Sequence, residues 1–582
     1  MANNQLIKKP AGANIAEKDL LDDMYLSNVK KRLRALNQPP ENDRKRWVWE
    51  LIQNAKDSIS KDSNRSSIDI EIEIKDNIVK FIHNGAPFTY KSRLGLLYKY
   101  SKDKGGEEST GRFGTGFLTT HCLSKIVTIE GDVIDQNSIH GFSVTMYRNG
   151  QSDNELLDGI KKMEDSQQWY QNAFGKTTFT YVIQTEDPGK DSLVKGMNNF
   201  YANIAQTMLF CPEIGKMSIN DNGKITLISR LEREVPLSEN ITLSSFQIGE
   251  NSNNVRRFIK IHSSEPNSEL TKKYKRPRNL RLDLAVEIDK NNNIIYHKEN
   301  TQLFCVLPLV GTEAQLTEPL YINSPDFEPD EERQRLLLSG NETIENIPDE
   351  YDDDQTRRIV KSEAGINHLI YKKIVELYDA IVKYLSDAQY GNMYNIAIGL
   401  KGNKQYQDLD LEWYNTNVTN QYRRVLTSYD IVKPLHKDGC KKLSEVFIVK
   451  EKAALENNLY FLMTSLFPSK MINPSHNHYW AEVAWKELNI WDIEKLCKYI
   501  SSIGDWTRLG LQNEELYRWY NSFLELVKEK DSDLLKTYEL LPDCTGLLHS
   551  LDDENLKQGK GITSLVVSIL EGLGINIKKH IT

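Results

Sequence analysis

Three short segments in the first third of the chain carry the residue types of one nucleotide site. In the first, Glu50, Asn54 and Asp57 recur at i, i+4 and i+7, which places them on one stripe of a helix. The second segment is His83-Asn84-Gly85. The third is a glycine run made up of Gly111, Arg112, Phe113, Gly114, Thr115, Gly116 and Phe117. Backbone N–H groups of a glycine run can close around an anion. A carboxylate for activating water, an amide oxygen for a metal ion and a phosphate cradle together predict a nucleotide hydrolase.

Each residue of the first segment has a plainer alternative. Glu50 beside a triphosphate can accept a proton from attacking water, whereas a lone helical glutamate is usually just solvated. Asn54 can place its amide oxygen on Mg²⁺, which takes few protein ligands and completes its shell with phosphate and water. Asp57 can bind a ribose or a metal-bound water, or equally cap local backbone. The shared helix stripe and the order of the segments favour the functional interpretation of Glu50.

The elements that must position these residues form an α+β layer. Helices are predicted over Glu17–Leu36, Arg44–Ser60 and Phe117–Leu123. Strands are predicted over Ile68–Ile74, Ile78–Ile82, Ser124–Glu130, Ile139–Arg148 and Thr177–Gln184. Antiparallel strands with helices on one face are the expected arrangement. Residues 101–111 are polar and contain glycine, which is typical of a mobile lid.

The remaining sequence predicts further domains. After an N-terminal segment, 1–40, and a nucleotide domain, 41–188, a second α/β unit is expected over 189–340. Its predicted strands are Lys224–Glu232, Arg257–His262, Leu282–Ile288, Asn293–His297 and Leu303–Pro308. Residues 341–356 are acidic and rich in breakers, as in a linker. The region 357–582 is mainly helical by its apolar periodicity, and its tryptophans at 480, 485, 491, 506 and 519 are expected in the core.

Composition limits the classes of function. The chain has 582 residues, a net charge of -8 and 27% charged residues, as in a soluble globular protein. The acidic net charge argues against a dedicated nucleic-acid surface, although it does not exclude a local basic groove. Six scattered cysteines without a CxxC pair fit a reduced, cytoplasmic protein. No apolar leader or membrane-length run is present in the sequence, so no membrane association is expected.

These motifs resemble the GHKL, or Bergerat-fold, superfamily of DNA gyrase, heat-shock-90 chaperones, histidine kinases and MutL. ELIQNAKDSI is similar to its N-box, in which the Glu is catalytic and the Asn binds Mg²⁺; these correspond to Glu50 and Asn54. GRFGTGF is similar to its glycine box. The stretch from Phe174 to Tyr181 is similar to its last nucleotide motif, in which Thr177 would touch the adenine side. The resemblance implies ATP and Mg²⁺ as cofactors.

The second motif departs from the superfamily pattern, Asp-x-Gly-x-Gly, in which the Asp accepts from the adenine amino group. Here His83 stands at the Asp position and Pro87 at the second Gly. A neutral His can accept one hydrogen bond, so the adenine contact is expected to be weakened or re-routed, for example through Asn84. HNG-x-x-F and the loop YSKDKG resemble the sacsin-like branch, with Lys102 or Lys104 near a phosphate. The alternative for these lysines is a solvated loop.

The segment around Arg333 and Arg335 resembles the one that follows the ATPase domain in sacsin-like and heat-shock-90 proteins. There a transducer-domain Arg reaches the γ-phosphate, and a guanidinium at that place offsets charge on the transferring group. Both arginines are therefore catalytic candidates. The alternative is a pair of structural salt bridges to Glu331 or Glu332.

The resemblance implies a Mg²⁺-dependent ATPase that couples ATP binding and hydrolysis to conformational change. It also implies a homodimer or larger assembly, exchange of the 1–40 segment between protomers, and a role in defence against phage, all by family analogy. Two alternatives stay open. One is a nucleotide-binding scaffold without significant hydrolysis, suggested by His83. The other is a DNA-clamping ATPase of the MutL or MORC kind, against which the acidic balance weighs.

Overall fold

The computed structural model describes residues 25–26, 29–59, 65–98, 116–135, 138–183, 188–249, 254–346, 358–436, 439–543, 545–553, 557–558 and 580–581. They fall into two compact units. The first extends to Leu377 and also contains Asn403–Asn417, and the second contains Tyr378–Gly402 and the chain from Val418 onward. This division is coarser than the five segments expected from the sequence, and those boundaries stay predictions.

The first unit contains helices and many strands. Its helices are α1 (Glu41–Ile59), α2 (Tyr90–Tyr98), α3 (Gly116–Thr119), α4 (Asp153–Asp165), α5 (Gly189–Phe210), α6 (Ser268–Tyr274), most of α7 (Glu363–Asp387) and α8 (Leu411–Tyr414). Its strands are β1 (Ile68–Lys75), β2 (Ile78–His83), β3 (Phe88–Thr89), β4 (Ile126–Asp135), β5 (Ser138–Tyr147), β6 (Gln168–Tyr170), β7 (Thr177–Val182), β8 (Ile214–Asp221), β9 (Lys224–Arg230), β10 (Val235–Pro236), β11 (Ile241–Ile248), β12 (Val255–Pro266), β13 (Asn279–Ile288), β14 (Ile294–Ile295), β15 (Leu303–Cys305), β16 (Leu307–Pro308), β17 (Tyr321–Asn323), β18 (Thr343–Asn346) and β19 (Arg358–Lys361). Residues 29–35 are also helical.

Strands β1 to β17 form one connected mixed sheet within the described residues. Neighbouring strands pair antiparallel in the order β6, β5, β4, β7, β2, β1. Strand β1 then pairs parallel with β8, from which β9, β11, β12, β13 and β17 continue antiparallel. The α+β class is therefore confirmed, and the antiparallel order of the first strands agrees with their alternating sequences.

The alternation in β1 explains why this hairpin forms. Its isoleucines at 68, 70, 72 and 74 are buried, while the acidic residues between them are half-buried. Asp76, at a φ of +52°, turns the chain into β2. Successive strand residues point to opposite faces, so one face of the hairpin enters the same apolar core as α1. Helix α1 and the strand that ends at His83 are thereby placed together.

Helix α1 matches its predicted position, and it is buried on more than one face. Val48, Ile52 and Ala55 enter the core as expected. Trp47 Nε1 donates to Ser192 O at 2.9 Å, and Trp49 Nε1 donates to Asn199 Oδ1 at 2.7 Å, which fixes α1 on α5. A Cβ on Gly196 would lie 1.9 Å from Trp47 Nε1, so the close approach of these helices requires glycine there. Helix α5 is not among the helices predicted from the sequence.

Two segments of the first unit differ from the predicted elements. The predicted strand Leu303–Pro308 is divided into β15 and β16, since Val306 has a φ of +66°. Part of the predicted linker is a strand, because β18 pairs antiparallel with β19. Residues 347–357 lie outside the described part of the chain.

The second unit consists of helices joined by short strand pairs. Beyond the end of α7, its helices are Asn420–Ser428, Ala453–Leu466, Pro474–Val483, Ile493–Ile503, Asn513–Lys530 and Leu534–Thr537. Its strands are Ile448–Val449, Ile490–Trp491, Leu541–Pro542, Leu548–His549, Lys557–Gln558 and His580–Ile581. The tryptophans at 480, 485, 491, 506 and 519 are buried, as predicted. No described helix in the chain combines the length and apolar character needed to span a membrane.

Candidate functional site

The first and third sequence motifs meet at Glu50. This residue lies on α1 with only 6% of its surface exposed. Arg46 Nη2, one helical turn earlier, donates to Glu50 Oε1 at 2.5 Å. The other carboxylate oxygen, Oε2, faces the start of α3, since a Cβ added to Gly116 would lie 1.9 Å from it. Glycine at 116 thus lets the backbone at the start of α3 approach the candidate base.

Glu50 belongs to a cluster of charges that we call the ionic cluster, formed by Arg32, Asp43, Arg46, Glu50 and Glu332. Arg32 Nη2 lies 3.0 Å from Asp43 Oδ1 and 3.2 Å from Glu332 Oε2. Arg46 Nη1 lies 3.6 Å from Glu332 Oε2 and 3.9 Å from Asp43 Oδ1. Asp43, Arg46 and Glu50 are buried, whereas Glu332 is partly exposed. Buried charges are tolerated only when they are paired. The cluster connects the helical residues 29–35, α1 and the segment 329–335.

The segment 329–335 contacts α1 through further polar side chains. Asn42 Nδ2 donates to Gln334 Oε1 at 3.1 Å. Arg333 Nη2 donates to Cys305 O at 3.0 Å, and its Nη1 lies 3.5 Å from Gln53 Oε1, on the turn of α1 after Glu50. Arg333 has a φ of +54°, a backbone conformation that side chains other than glycine seldom adopt. Of the two candidate arginines, this one reaches the helix that carries Glu50.

Arg335 occupies a different environment. Its Nη1 lies 2.7 Å from Asp408 Oδ2 and its Nε lies 3.2 Å from Asp330 Oδ2. The expectation of a structural salt bridge thus fits Arg335, although its partners are not the predicted Glu331 or Glu332. Glu332 instead pairs with Arg32 and Arg46. These contacts favour Arg333 over Arg335 as the arginine of the site.

His83 and Thr177 lie opposite each other on the neighbouring strands β2 and β7. They are direct partners in the register of β2 and β7, and both are buried. Gly85 N donates to His83 Nδ1 at 3.1 Å, and burial lowers the pKa of His83 from 6.5 to about 4. The ring is therefore neutral near pH 7, with its proton on Nε2. In this tautomer Nε2–H is a donor and cannot accept from an amino group, and a contact of His83 with adenine stays a prediction.

Asn84 and Gly85 have local structural contacts. Asn84 Oδ1 accepts from Asp69 N at 2.8 Å, and Asn84 O accepts from the Arg65 guanidinium, which fixes the turn after β2 to the start of β1. A Cβ on Gly85 would lie 2.0 Å from Ser58 Oγ on α1. Gly85 therefore sets how closely this turn approaches the helix. The suggested adenine contact through the Asn84 oxygen would compete with the hydrogen bond that this oxygen accepts from Asp69 N.

The loop that leads into β7 is fixed by a carboxylate that the motif analysis missed. Asp132 is buried and accepts from Phe174 N and Gly175 N, each at 2.7 Å. Gly175 has a φ of +73°, so the turn requires glycine. Asp132 thereby delivers Thr177 to its place beside His83. The role of Asp132 depends on the pairing of β4 with β7. A short sequence motif does not indicate which distant strands pair.

The remaining predicted residues are only partly described. Asn54 is half-buried on α1, and Asp57 is buried with Lys56 Nζ 3.8 Å from its Oδ1. Phe117 lies on α3 and packs against Phe179 of β7 at a ring distance of 5.6 Å. Other candidates lie outside the described residues, namely Lys102, Lys104, Gly111, Arg112, Phe113, Gly114 and Thr115.

Two other chemistries receive no support from the described residues. Cys122 is buried, and burial raises the pKa of its thiol to about 12, so it is not a thiolate nucleophile near pH 7. Within the described ranges, no group of three or more His, Cys, Asp or Glu side chains could bind a metal ion. A Mg²⁺ ion bound through one amide oxygen, phosphates and water would not need such a group.

No protein-family model matches the chain, and no curated protein matches its sequence.

Proposed function

We propose that this protein is a Mg²⁺-dependent ATPase of the GHKL superfamily, on the sacsin-like branch, with a Bergerat-fold nucleotide domain. The observation that carries the proposal is the close approach of Gly116 to Glu50 Oε2. The N-box and the glycine box were identified separately in the sequence. Glu50 of the first motif and Gly116 of the second now lie in contact. A base and a phosphate cradle must be neighbours for in-line attack of water on a terminal phosphate.

The pairing of His83 with Thr177 gives independent support. Both residues were assigned to the adenine side, and they are direct neighbours across β2 and β7. Helix α1 carries Glu50 at one place and reaches Gly85 through Ser58 at another. One helix therefore borders both the expected phosphate end and the expected base end, which is the arrangement that a bound nucleotide requires.

In this proposal each group has a distinct role. Glu50 orients or deprotonates the attacking water, and Asn54 supplies the amide oxygen for Mg²⁺, which would neutralise charge on the phosphates. Arg333 is the candidate for stabilising charge on the transferring phosphoryl group. The His83 Nε2–H would donate to an acceptor nitrogen of the base. A cytoplasmic homodimer and a part in antiviral defence follow only from the family resemblance.

The test compares ATP turnover of the wild type with that of Glu50→Gln, with and without Mg²⁺. Turnover is expected to require Mg²⁺ and to fall by about 10² to 10³ in the variant, because a positioned general base contributes factors of this size. Glu41→Gln is the matched control, since Glu41 lies on the same helix but is exposed. Equal turnover in the wild type and Glu50→Gln would overturn the ATPase proposal.

A nucleotide-binding scaffold is the second candidate. It is favoured by the pairing of Glu50 with Arg46 at 2.5 Å, because this guanidinium already occupies one oxygen of the candidate base, and by the donor character of His83. Calorimetry with ATP, ADP and GTP distinguishes the candidates. Tight ATP binding with equal, negligible turnover in the wild type and Glu50→Gln would favour the scaffold.

A further inference from the structure

The ionic cluster joins three separated parts of the chain at the proposed base. We propose that Arg46 is a positioning residue for Glu50, and that Glu332 positions Arg46. ATP turnover would then depend on contact between the segment 329–335 and α1. This inference rests on the proposed ATPase function.

The first step concerns the two oxygens of Glu50. Oε1 accepts from Arg46 Nη2 at 2.5 Å, and Oε2 faces Gly116. Because a carboxylate is planar, fixing one oxygen also fixes the direction of the other. Arg46 therefore orients Oε2 toward the glycine run, where the proposed attacking water would lie. A small displacement of a catalytic group costs a large factor in rate.

The second step concerns the other nitrogen of Arg46. Among the described residues, Arg46 Nη1 has no hydrogen-bond acceptor, yet it is buried. It lies 3.6 Å from Glu332 Oε2 and 3.9 Å from Asp43 Oδ1, so charge attraction alone holds this side of the guanidinium. Glu332 is the nearer of these two carboxylates, and it comes from a distant part of the sequence.

The third step concerns what holds Glu332. Arg32 Nη2 lies 3.2 Å from Glu332 Oε2 and also donates to Thr119 Oγ1 of α3 at 3.0 Å. Gln334 contacts Asn42 and Asp43 at the start of α1. The cluster contains two cations and three carboxylates. Removal of the Glu332 charge would therefore draw Arg46 toward Asp43 and loosen its hold on Glu50.

The experiment measures kcat, KM and ATP affinity for Glu332→Gln, Arg46→Met and Arg46→Lys. We expect kcat to fall about fivefold in Glu332→Gln and about 30-fold in Arg46→Met, with KM and ATP affinity within about twofold of the wild type. Arg46→Lys should recover part of the loss, because its ammonium group can still pair with Glu50. Glu331→Gln is the matched control, since Glu331 is exposed and is the neighbour of Glu332.

A double variant tests whether Glu332 acts through Arg46. In the Arg46→Met background, Glu332→Gln should cause no further loss of kcat, because residues that act as one unit are not additive. Wild-type kcat in Glu332→Gln, an increase in kcat in either single variant, or full additivity in the double variant would overturn the inference while Glu50-dependent turnover stands. Absence of Glu50-dependent turnover in the wild type would overturn the proposed function and, with it, the inference.

Discussion

The two ends of the candidate site are stabilised by different kinds of interaction. At the Glu50 end, the buried carboxylate pairs with Arg46, and Arg46 and Arg32 both lie near Glu332 from the segment 329–335. At the His83 end, two neutral side chains are placed by the register of neighbouring strands, by the hydrogen bond from Gly85 N and by Asp132, which accepts from Phe174 N and Gly175 N. The sheet and its turns thus define the second end, whereas the ionic cluster at the first end includes Glu332 from a distant part of the chain. Under the proposed ATPase function, we therefore expect control at the Glu50 end and rigid recognition at the His83 end.

The largest effect is expected from pH acting on the His83 end. Burial lowers the pKa of His83 to about 4, whereas the unfolded chain has 6.5. Between these values the unfolded state binds more protons, so folding stability falls as pH decreases from 6.5 to 4 and is fully present above 6.5. The shift corresponds to about 3 kcal/mol. His83→Asn keeps an acceptor near Gly85 N and removes the titration.

Urea unfolding of wild type and His83→Asn at several pH values between 4 and 7.5 measures this difference. The variant should lose less stability than the wild type as the pH is lowered. Parallel pH profiles would mean that the buried imidazole does not control stability at this end of the site.

The next largest effect is expected from Gly116→Ala at the Glu50 end. The added Cβ would lie 1.9 Å from Glu50 Oε2. Because this atom is the far end of a side chain, the fold can survive while the carboxylate moves. We expect kcat to fall about 100-fold, which corresponds to about 2.7 kcal/mol in the activation barrier, with little change in unfolding.

Gly131→Ala is the matched variant at the other end, because its Cβ would lie 3.2 Å from Thr177 Oγ1. Its kcat should stay within about threefold of the wild type, since Thr177 needs to move by only a few tenths of an ångström. Comparable losses of kcat in the two glycine variants would remove the distinction between the ends.

The sequence predicted the local parts of both ends. The alternation of β1 and the apolar periodicity of α1 were sufficient to place these elements, because each pattern is repeated over several residues. The strands that carry His83 and Thr177 were predicted with nearly correct bounds, whereas their pairing was found only in the structure. Local order of this kind can be read directly from neighbouring residues.

Other features of the site depend on contacts between distant residues. The pairing of Arg46 with Glu332 and the hold of Asp132 on Gly175 each join separate segments, so no short motif contains them. The His83 tautomer is set by a backbone N–H whose direction the sequence does not encode. Helix α5 was missed because its buried residues include several polar ones, such as Asn203, that weaken the helical periodicity.

A smaller effect is expected from the two arginines that the sequence treated alike. Arg333 reaches Gln53 on α1, whereas Arg335 pairs with Asp330 and Asp408. Arg333→Lys should lower kcat about tenfold, because an ammonium group cannot replace a planar guanidinium that spans two acceptors. Arg335→Lys should change kcat less than about twofold, since its salt bridges can persist with lysine. Steady-state turnover of both variants measures the contrast, and a larger loss in Arg335→Lys would contradict this assignment.

The smallest effect is expected where the turn after β2 meets α1. In Gly85→Ala the new Cβ would lie 2.0 Å from Ser58 Oγ and 2.9 Å from His83 Nδ1, and we expect a loss of about 1 kcal/mol in stability. Ser58→Ala removes the obstructing oxygen at the cost of its hydrogen bond to Ala55 O, so the double variant should regain part of the loss. Urea unfolding of the two single variants and the double variant measures this coupling, and simple additivity would contradict it. We expect a smaller neighbouring side chain to restore stability only at the His83 end, because the added Cβ at Gly85 clashes with the Ser58 side chain. At Gly116 the obstructed atom is the carboxylate oxygen itself, and no trimming of Glu50 could restore turnover.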